Sequence, residues 1–180
     1  MKVYAFLADG FEEIEAITPI DLLRRAGVDV CTVSVHASKA VSGAHGMTLM
    51  ADALYEECDF TDADLLFLPG GMPGTTNLEA HAGLCELLRQ HNEEGKLIAA
   101  ICAAPSILGK LGILEGKKAT CYPGFENFLG ESDTDACVVI SDNITTGEGP
   151  GAAYDFALDL IEQLIDAETA ERIGQETMYR

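Results

Sequence analysis

Apolar runs about one strand long recur along the chain and alternate with stretches whose apolar residues fall three or four apart, the pattern of an alternating β/α chain. Lys2 to Ala8 (KVYAFLA) is the first run, and it stops at the turn signal Asp9-Gly10. From Glu12 to Arg25, Ile14, Ile17, Ile20 and Leu23 are spaced by three and Gly27 closes the stretch, which predicts a helix. Thr18 can cap a new helix with Pro19 in its first turn, or Pro19 can kink one longer helix; the kinked helix is the expectation. Val28 to Val35 predicts a second strand, Val41 to Asp52 a small hairpin, and Asp64 to Leu68 a third strand that runs into Pro69-Gly70-Gly71. Asn77 to Glu94 predicts helical material with His81 and His91 solvated.

Leu97 to Ile101 has no polar alternation, so both of its faces require burial, as in the centre of a parallel sheet. The run stops at Cys102, and Ala103-Ala104-Pro105 opens a helix expected to reach about Leu111. Beyond it the pattern predicts a short strand over 117–122, a helical turn over 125–129 and a strand pair over 136–140 and 144–146. An amphipathic helix from Ala152 to Asp166 and a short acidic tail follow. This order predicts an α/β fold: a flavodoxin-like, doubly wound sandwich with a mostly parallel sheet, helices on both faces and a small hairpin excursion. At 180 residues the chain has the size of one domain, 1–180, with a substantial core.

Charge narrows the partners. Thirty acidic against 11 basic residues give a formal net charge of −19, which repels phosphate backbones and anionic membrane surfaces, so neither nucleic acid nor a membrane is an expected partner. The acidic residues recur on helix faces and turns, as on a solvated surface. No run of 18 apolar residues occurs, and the N-terminus enters a strand without a cleavage-site pattern. Cys31, Cys58, Cys85, Cys102, Cys121 and Cys137 are scattered without a CxxC pair, which fits a reducing, cytoplasmic setting and offers no zinc knuckle.

Four stretches carry candidate chemistry: Asp9 to Glu15, Gly70-Gly71, Cys102 and Gly147 to Gly151. Each follows a strand in this reading, so all four converge on the carboxyl edge of the sheet, where open α/β sheets bind ligands. Cys102 stands at a strand-to-helix corner beside a helix N-terminus, which favours a thiolate and makes it the candidate nucleophile. Gly70-Gly71 leaves backbone N–H groups unobstructed, suiting an oxyanion site as well as a plain turn. Among Glu12, Glu13 and Glu15, acidic residues at a helix start are expected from the dipole alone. A glutamate beside a thiolate must instead be protonated, and a neutral buried glutamate is suited to moving protons near neutral pH.

Ala8-Asp9-Gly10-Phe11-Glu12-Glu13-Ile14-Glu15, Leu68-Pro69-Gly70-Gly71, Ala99-Ala100-Ile101-Cys102-Ala103-Ala104-Pro105 and Gly149-Pro150-Gly151 together resemble the ThiJ/PfpI family, in the branch that contains a human parkinsonism-associated deglycase. The four ordered motifs span nearly the whole chain. The resemblance implies a nucleophilic Cys102 on a strained elbow, Glu15 as its protonated acid/base partner, and an oxyanion site from the backbone around Gly70, Gly71 and Ala103. It further implies a homodimer, no metal and no organic cofactor. The chain departs from the branch at Tyr122, in Thr120-Cys121-Tyr122-Pro123, where a histidine is usual. No histidine follows His91, so a Cys-His dyad with a downstream histidine is impossible. Tyr122 can donate a hydrogen bond to substrate or pack as core. His45 falls where the branch has an arginine reaching toward a neighbouring subunit, or is a solvated loop residue. The resemblance thus implies a cofactor-independent glyoxalase or deglycase acting on methylglyoxal or its early adducts. The alternative is a non-catalytic redox sensor or protective chaperone using an oxidisable Cys102.

Overall fold

The computed structural model describes residues 1–133 and 135–179; Thr134 and Arg180 lie outside the described residues. The first half contains β1 (Lys2–Leu7), α1 (Glu13–Arg25), β2 (Asp29–Ser34), β3 (Ala40–Ser42), β4 (Thr48–Met50), β5 (Ala53–Leu54), β6 (Leu65–Leu68), α2 (Gly74–Glu79) and α3 (Ala82–Glu93). The second half contains β7 (Leu97–Ile101), α4 (Pro105–Lys110), β8 (Lys118–Ala119), β9 (Glu131–Ser132), β10 (Val138–Ser141), β11 (Ile144–Gly147), α5 (Ala153–Leu164) and α6 (Ala167–Glu176). Seven strands form the central sheet in the order β10-β11-β7-β6-β1-β2-β5, parallel throughout except for the antiparallel β10–β11 pair. The hairpin β3–β4 is a separate excursion, as the sequence predicts.

Alternation within the central strands divides the core between two faces. Val3, Ala5, Leu7, Leu65, Phe67, Ala99 and Ile101 meet Leu23 of α1, Phe156 and Leu160 of α5 and Ile173 of α6. Tyr4, Phe6, Leu66, Leu68, Ile98 and Ala100 meet Leu84 and Leu88 of α3 and Ile107 and Leu108 of α4. Each fully buried Val, Leu, Ile or Phe among them contributes about 1.5–3 kcal/mol, and the two layers together hold the carboxyl ends of β11, β7, β6 and β1 side by side.

The helical material expected over 77–94 is divided between two helices, because the chain turns at Ala80 and the His81 ring accepts from Leu84 N–H to cap α3. Three local readings change. His91 is buried rather than solvated; burial pushes its pKa down to about 4, keeping the ring neutral. The strand expected over 117–122 shortens to β8, which pairs with β9. The acidic tail is a helix, α6, capped by Asp166 and buried through Ala170 and Ile173. Pro19 does lie inside one helix, where it withholds the N–H that the Glu15 carbonyl would accept.

Candidate active site

Cys102 follows β7 directly and has φ +65°, a left-handed conformation that a side chain disfavours. Holding a non-glycine residue there costs roughly 1–3 kcal/mol. Two backbone bonds hold it: Cys102 N–H donates to the Gly147 carbonyl at 2.8 Å, and Tyr122 N–H donates to the Cys102 carbonyl at 2.8 Å. The first ties the corner to the end of β11, the second to the chain beyond β8. The residue is thereby held at the carboxyl edge, where it packs against the core layer that includes Ile101 and Ala103.

Glu15 reaches the same place from the first turn of α1. Glu12 caps that helix, its Oε2 accepting from Glu15 N–H at 2.7 Å. The Glu15 side chain is fully buried, its Oε2 accepts from Gly70 N–H at 3.0 Å, and its Oε1 has no hydrogen-bond partner among the described residues. Gly70 is the spacer between the two groups: a β-carbon there would lie 2.6 Å from Cys102 Cβ and 2.6 Å from Glu15 Oε2. Only a hydrogen fits between the carboxyl group and the elbow.

Burial pushes the Glu15 carboxyl up to about 7; its hydrogen bond with Cys102 works against the rise, the charge of Glu12 adds to it, and Gly70 N–H opposes it. Burial, the Glu15 charge and the Glu15 hydrogen bond push the Cys102 thiol up to about 12, against the N–H groups of Gly71 and Ala103, which donate toward the sulfur. An independently low thiol pKa, expected from the helix N-terminus, is therefore not what the surroundings produce. The dipole of a six-residue α4 is outweighed by burial and a neighbouring carboxylate. The two groups titrate as a pair that gives up its first proton near pH 7 and holds the second far above it. The single negative charge can sit on sulfur only while Glu15 carries the proton.

The structure brings Cys102, Glu15, Gly70, Gly71 and Ala103 together. Tyr122 joins through its backbone; its side chain is half-exposed, with the ring close enough to Gly149 that a β-carbon there would lie 3.3 Å from it. His45 stands one residue removed. Its N–H and ring Nδ1 meet the two Glu13 oxygens at 2.8 Å each, and Nδ1 lies 3.8 Å from Glu12 Oε1. Burial alone would raise Glu13, but the His45 ring, the backbone N–H groups of His45 and Met47 and its own N–H outweigh it and lower the carboxyl pKa; the Glu13 hydrogen bond raises His45 in return. Glu12, Glu13 and His45 bring ligand atoms within 4.8 Å of one another. Hydrogen bonds already account for them, since Glu12 caps α1 and Glu13 anchors the hairpin, and no metal is assigned there. Neither of those two roles was read from the sequence, where an acidic pair at a helix start is satisfied by the dipole alone. Gly10, a turn signal in the sequence, is also a point of close approach: its β-carbon would lie 2.4 Å from Pro73 Cδ, so the loops after β1 and β6 interlock there.

The DJ-1/PfpI family model matches residues 1–163. The chain belongs to the DJ-1/PfpI family. Protein DJ-1 homolog B of Arabidopsis thaliana is 39% identical over 182 residues, covering 99% of this chain and 42% of that protein. The chain thus spans less than half the length of that relative. A protein of Pyrococcus abyssi named as a deglycase is 33% identical over 168 residues, covering 91% of this chain and 99% of its own length. The structure of oxidized Toxoplasma gondii DJ-1 superposes with a TM-score of 0.94 at 39% identity, covering 99% of this chain and 98% of that one. The DJ-1 fold, an α/β sandwich on a mostly parallel sheet, is therefore the fold of this chain. No helix among the described residues is long and apolar enough to cross a membrane.

Proposed function

We propose that the protein is a glyoxalase or deglycase whose reaction is carried by Cys102 and Glu15. The observation that supports this most is the fully buried Glu15, its carboxyl pushed up to about 7, set against a thiol at a strained elbow. With the proton on Glu15, the thiolate adds to the aldehyde carbon of methylglyoxal, or of an early adduct of it, and the new oxyanion takes a proton. Glu15 then moves a proton between the two carbons, and hydrolysis of the resulting thioester releases lactate. Gly70, Gly71 and Ala103 supply the backbone around the developing oxyanion. Tyr122, at the mouth, presents a phenol that can donate to the substrate's second oxygen. The name of the Pyrococcus relative agrees with this chemistry.

Because the pair releases its first proton near pH 7, kcat/KM for methylglyoxal rises with pH through about 7 and then levels. Glu15→Gln removes the titrating carboxyl and lowers kcat/KM by about a hundredfold, with the rise near neutrality gone. A Glu15→Gln enzyme with an unchanged rate and pH profile rules the assignment out.

A second reading has its own support. The groups that hold an oxyanion on a substrate, Gly71 N–H, Ala103 N–H and a protonated Glu15, equally suit the oxygens of a Cys102 sulfinate, and the Toxoplasma relative was solved in an oxidized state. Mild peroxide followed by mass spectrometry then places sulfinate first on Cys102; even oxidation of all six cysteines counts against it.

A homodimer in the cytoplasm completes the proposal. Ile14 and Ile17 of α1 and Met47 and Met50 around the hairpin are exposed together with His45, and a second copy is the proposed cover. Ile17→Glu is expected to sediment as a monomer where the wild type sediments as a dimer; a monomeric wild type removes this part.

A further inference from the structure

We propose that Cys31 and Cys58 form a second redox centre, a thiol pair that closes to an intramolecular disulfide when a hydroperoxide oxidises it. The pair lies toward the amino ends of the parallel strands, opposite the edge that carries Cys102, and takes no part in the chemistry proposed there.

Strand register brings the two residues together although the sequence separates them. Cys31 on β2 is the register partner of Tyr4 on β1. The Tyr4 hydroxyl donates to the Asp59 carbonyl at 2.9 Å and to Asp62 Oδ1 at 2.8 Å, and its ring meets Phe60 edge-on at 4.9 Å. The segment that begins immediately after Cys58 is therefore clamped onto the residue beside Cys31. From the other side, β5 pairs with β2 at Val33 and Ser34, and the Cys58 thiol donates back to the Leu54 carbonyl at 3.4 Å. Both cysteines are half-buried against the same core face. The two thiols are near enough that each changes the proton affinity of the other.

The surroundings also assign the order of attack. Burial and the Asp52 charge raise Cys31 against the Lys2 charge, while burial and the neighbouring Cys31 push Cys58 up to about 11, so Cys31 ionises before Cys58. Cys31 is thus the attacking sulfur and Cys58 the resolving one. The Cys31 thiolate attacks one peroxide oxygen, the O–O bond breaks, and the alcohol leaves with a proton as Cys31 becomes a sulfenic acid. The Cys58 sulfur then attacks the Cys31 sulfur; the S–S bond forms, the S–O bond breaks, and the hydroxide departs with the Cys58 proton as water. Two thiols are oxidised and one hydroperoxide is reduced to alcohol and water.

The test uses the full-length protein exposed to hydrogen peroxide, alkylated and digested without reduction. The expected result is one cross-linked peptide joining Cys31 to Cys58, lighter by two hydrogens, with those two thiols lost to titration and both restored by dithiothreitol, whatever the oxidation state of Cys102. Cys102→Ala shows the same cross-link, which separates this centre from the proposed active site, and Cys31→Ser or Cys58→Ser abolishes it. Because the wild type carries the decisive measurement, a poorly folding variant does not blunt the test. The proposal is overturned if Cys31 and Cys58 stay free while other cysteines oxidise. It is equally overturned if each goes separately to sulfinic acid, or if the cross-link joins two chains.

Discussion

Replacing Cys102 by alanine is expected to take methylglyoxal turnover to the background rate, a loss of at least about a thousandfold, while the protein still folds. The elbow keeps its backbone bonds to Gly147 and Tyr122 in the variant, since both use main-chain atoms. Alanine accepts the same left-handed conformation at the same cost, so the change removes the sulfur and little else. Lactate release, followed beside an unfolding curve, separates the two effects. A folded Cys102→Ala protein that retains most of its turnover places the chemistry elsewhere.

Gly71→Ala is expected to have the largest effect on stability, about 3–5 kcal/mol. Gly71 has φ +92°, and a β-carbon there would lie 2.4 Å from Glu12 N, 2.5 Å from Gly10 O and 2.7 Å from Phe11 C. All three are main-chain atoms of the segment that starts α1, so no side chain can swing away. Relief requires the loop after β1 to part from the loop after β6, carrying Glu15 away from Cys102. Gly27→Ala is the control: Gly27 has φ +85° with nothing within 4 Å of the added carbon, so it costs only the conformational penalty of about 1–2 kcal/mol. Equal denaturant midpoints for the two variants would show that the close approach carries no energy.

The fold was legible where local pattern and tertiary demand agree. The fully apolar runs of β1, β6 and β7 leave no choice but burial on both faces, and their alternation with helices fixes a parallel sheet. The reading failed where polarity was taken for exposure. His91 is polar but neutral and buried, and the acidic sequence of α6 conceals Ala170 and Ile173, three apart on one buried stripe. At the site, Cys102 was visible as the residue that ends an apolar run before a proline-started helix. Its electrostatics were not, because the thiol pKa depends on burial and on Glu15, neither of which is local in sequence. Glu13 illustrates the same limit. Its partners His45 and Met47 lie 32 and 34 residues away on a hairpin whose position only the folded chain defines.

Gly70 N–H reaches the Glu15 carboxyl across 55 residues of chain, and the elbow closes only when β11 has docked beside β7. Glu15, the Gly71 N–H and the Gly147 carbonyl that hold and tune Cys102 are thus delivered by long-range crossovers, and in the unfolded chain its sulfur has none of them. The chemical individuality of this cysteine is a property of the completed topology, so the rate at which a thiol reagent labels Cys102 during refolding serves as a clock for the last strands to assemble.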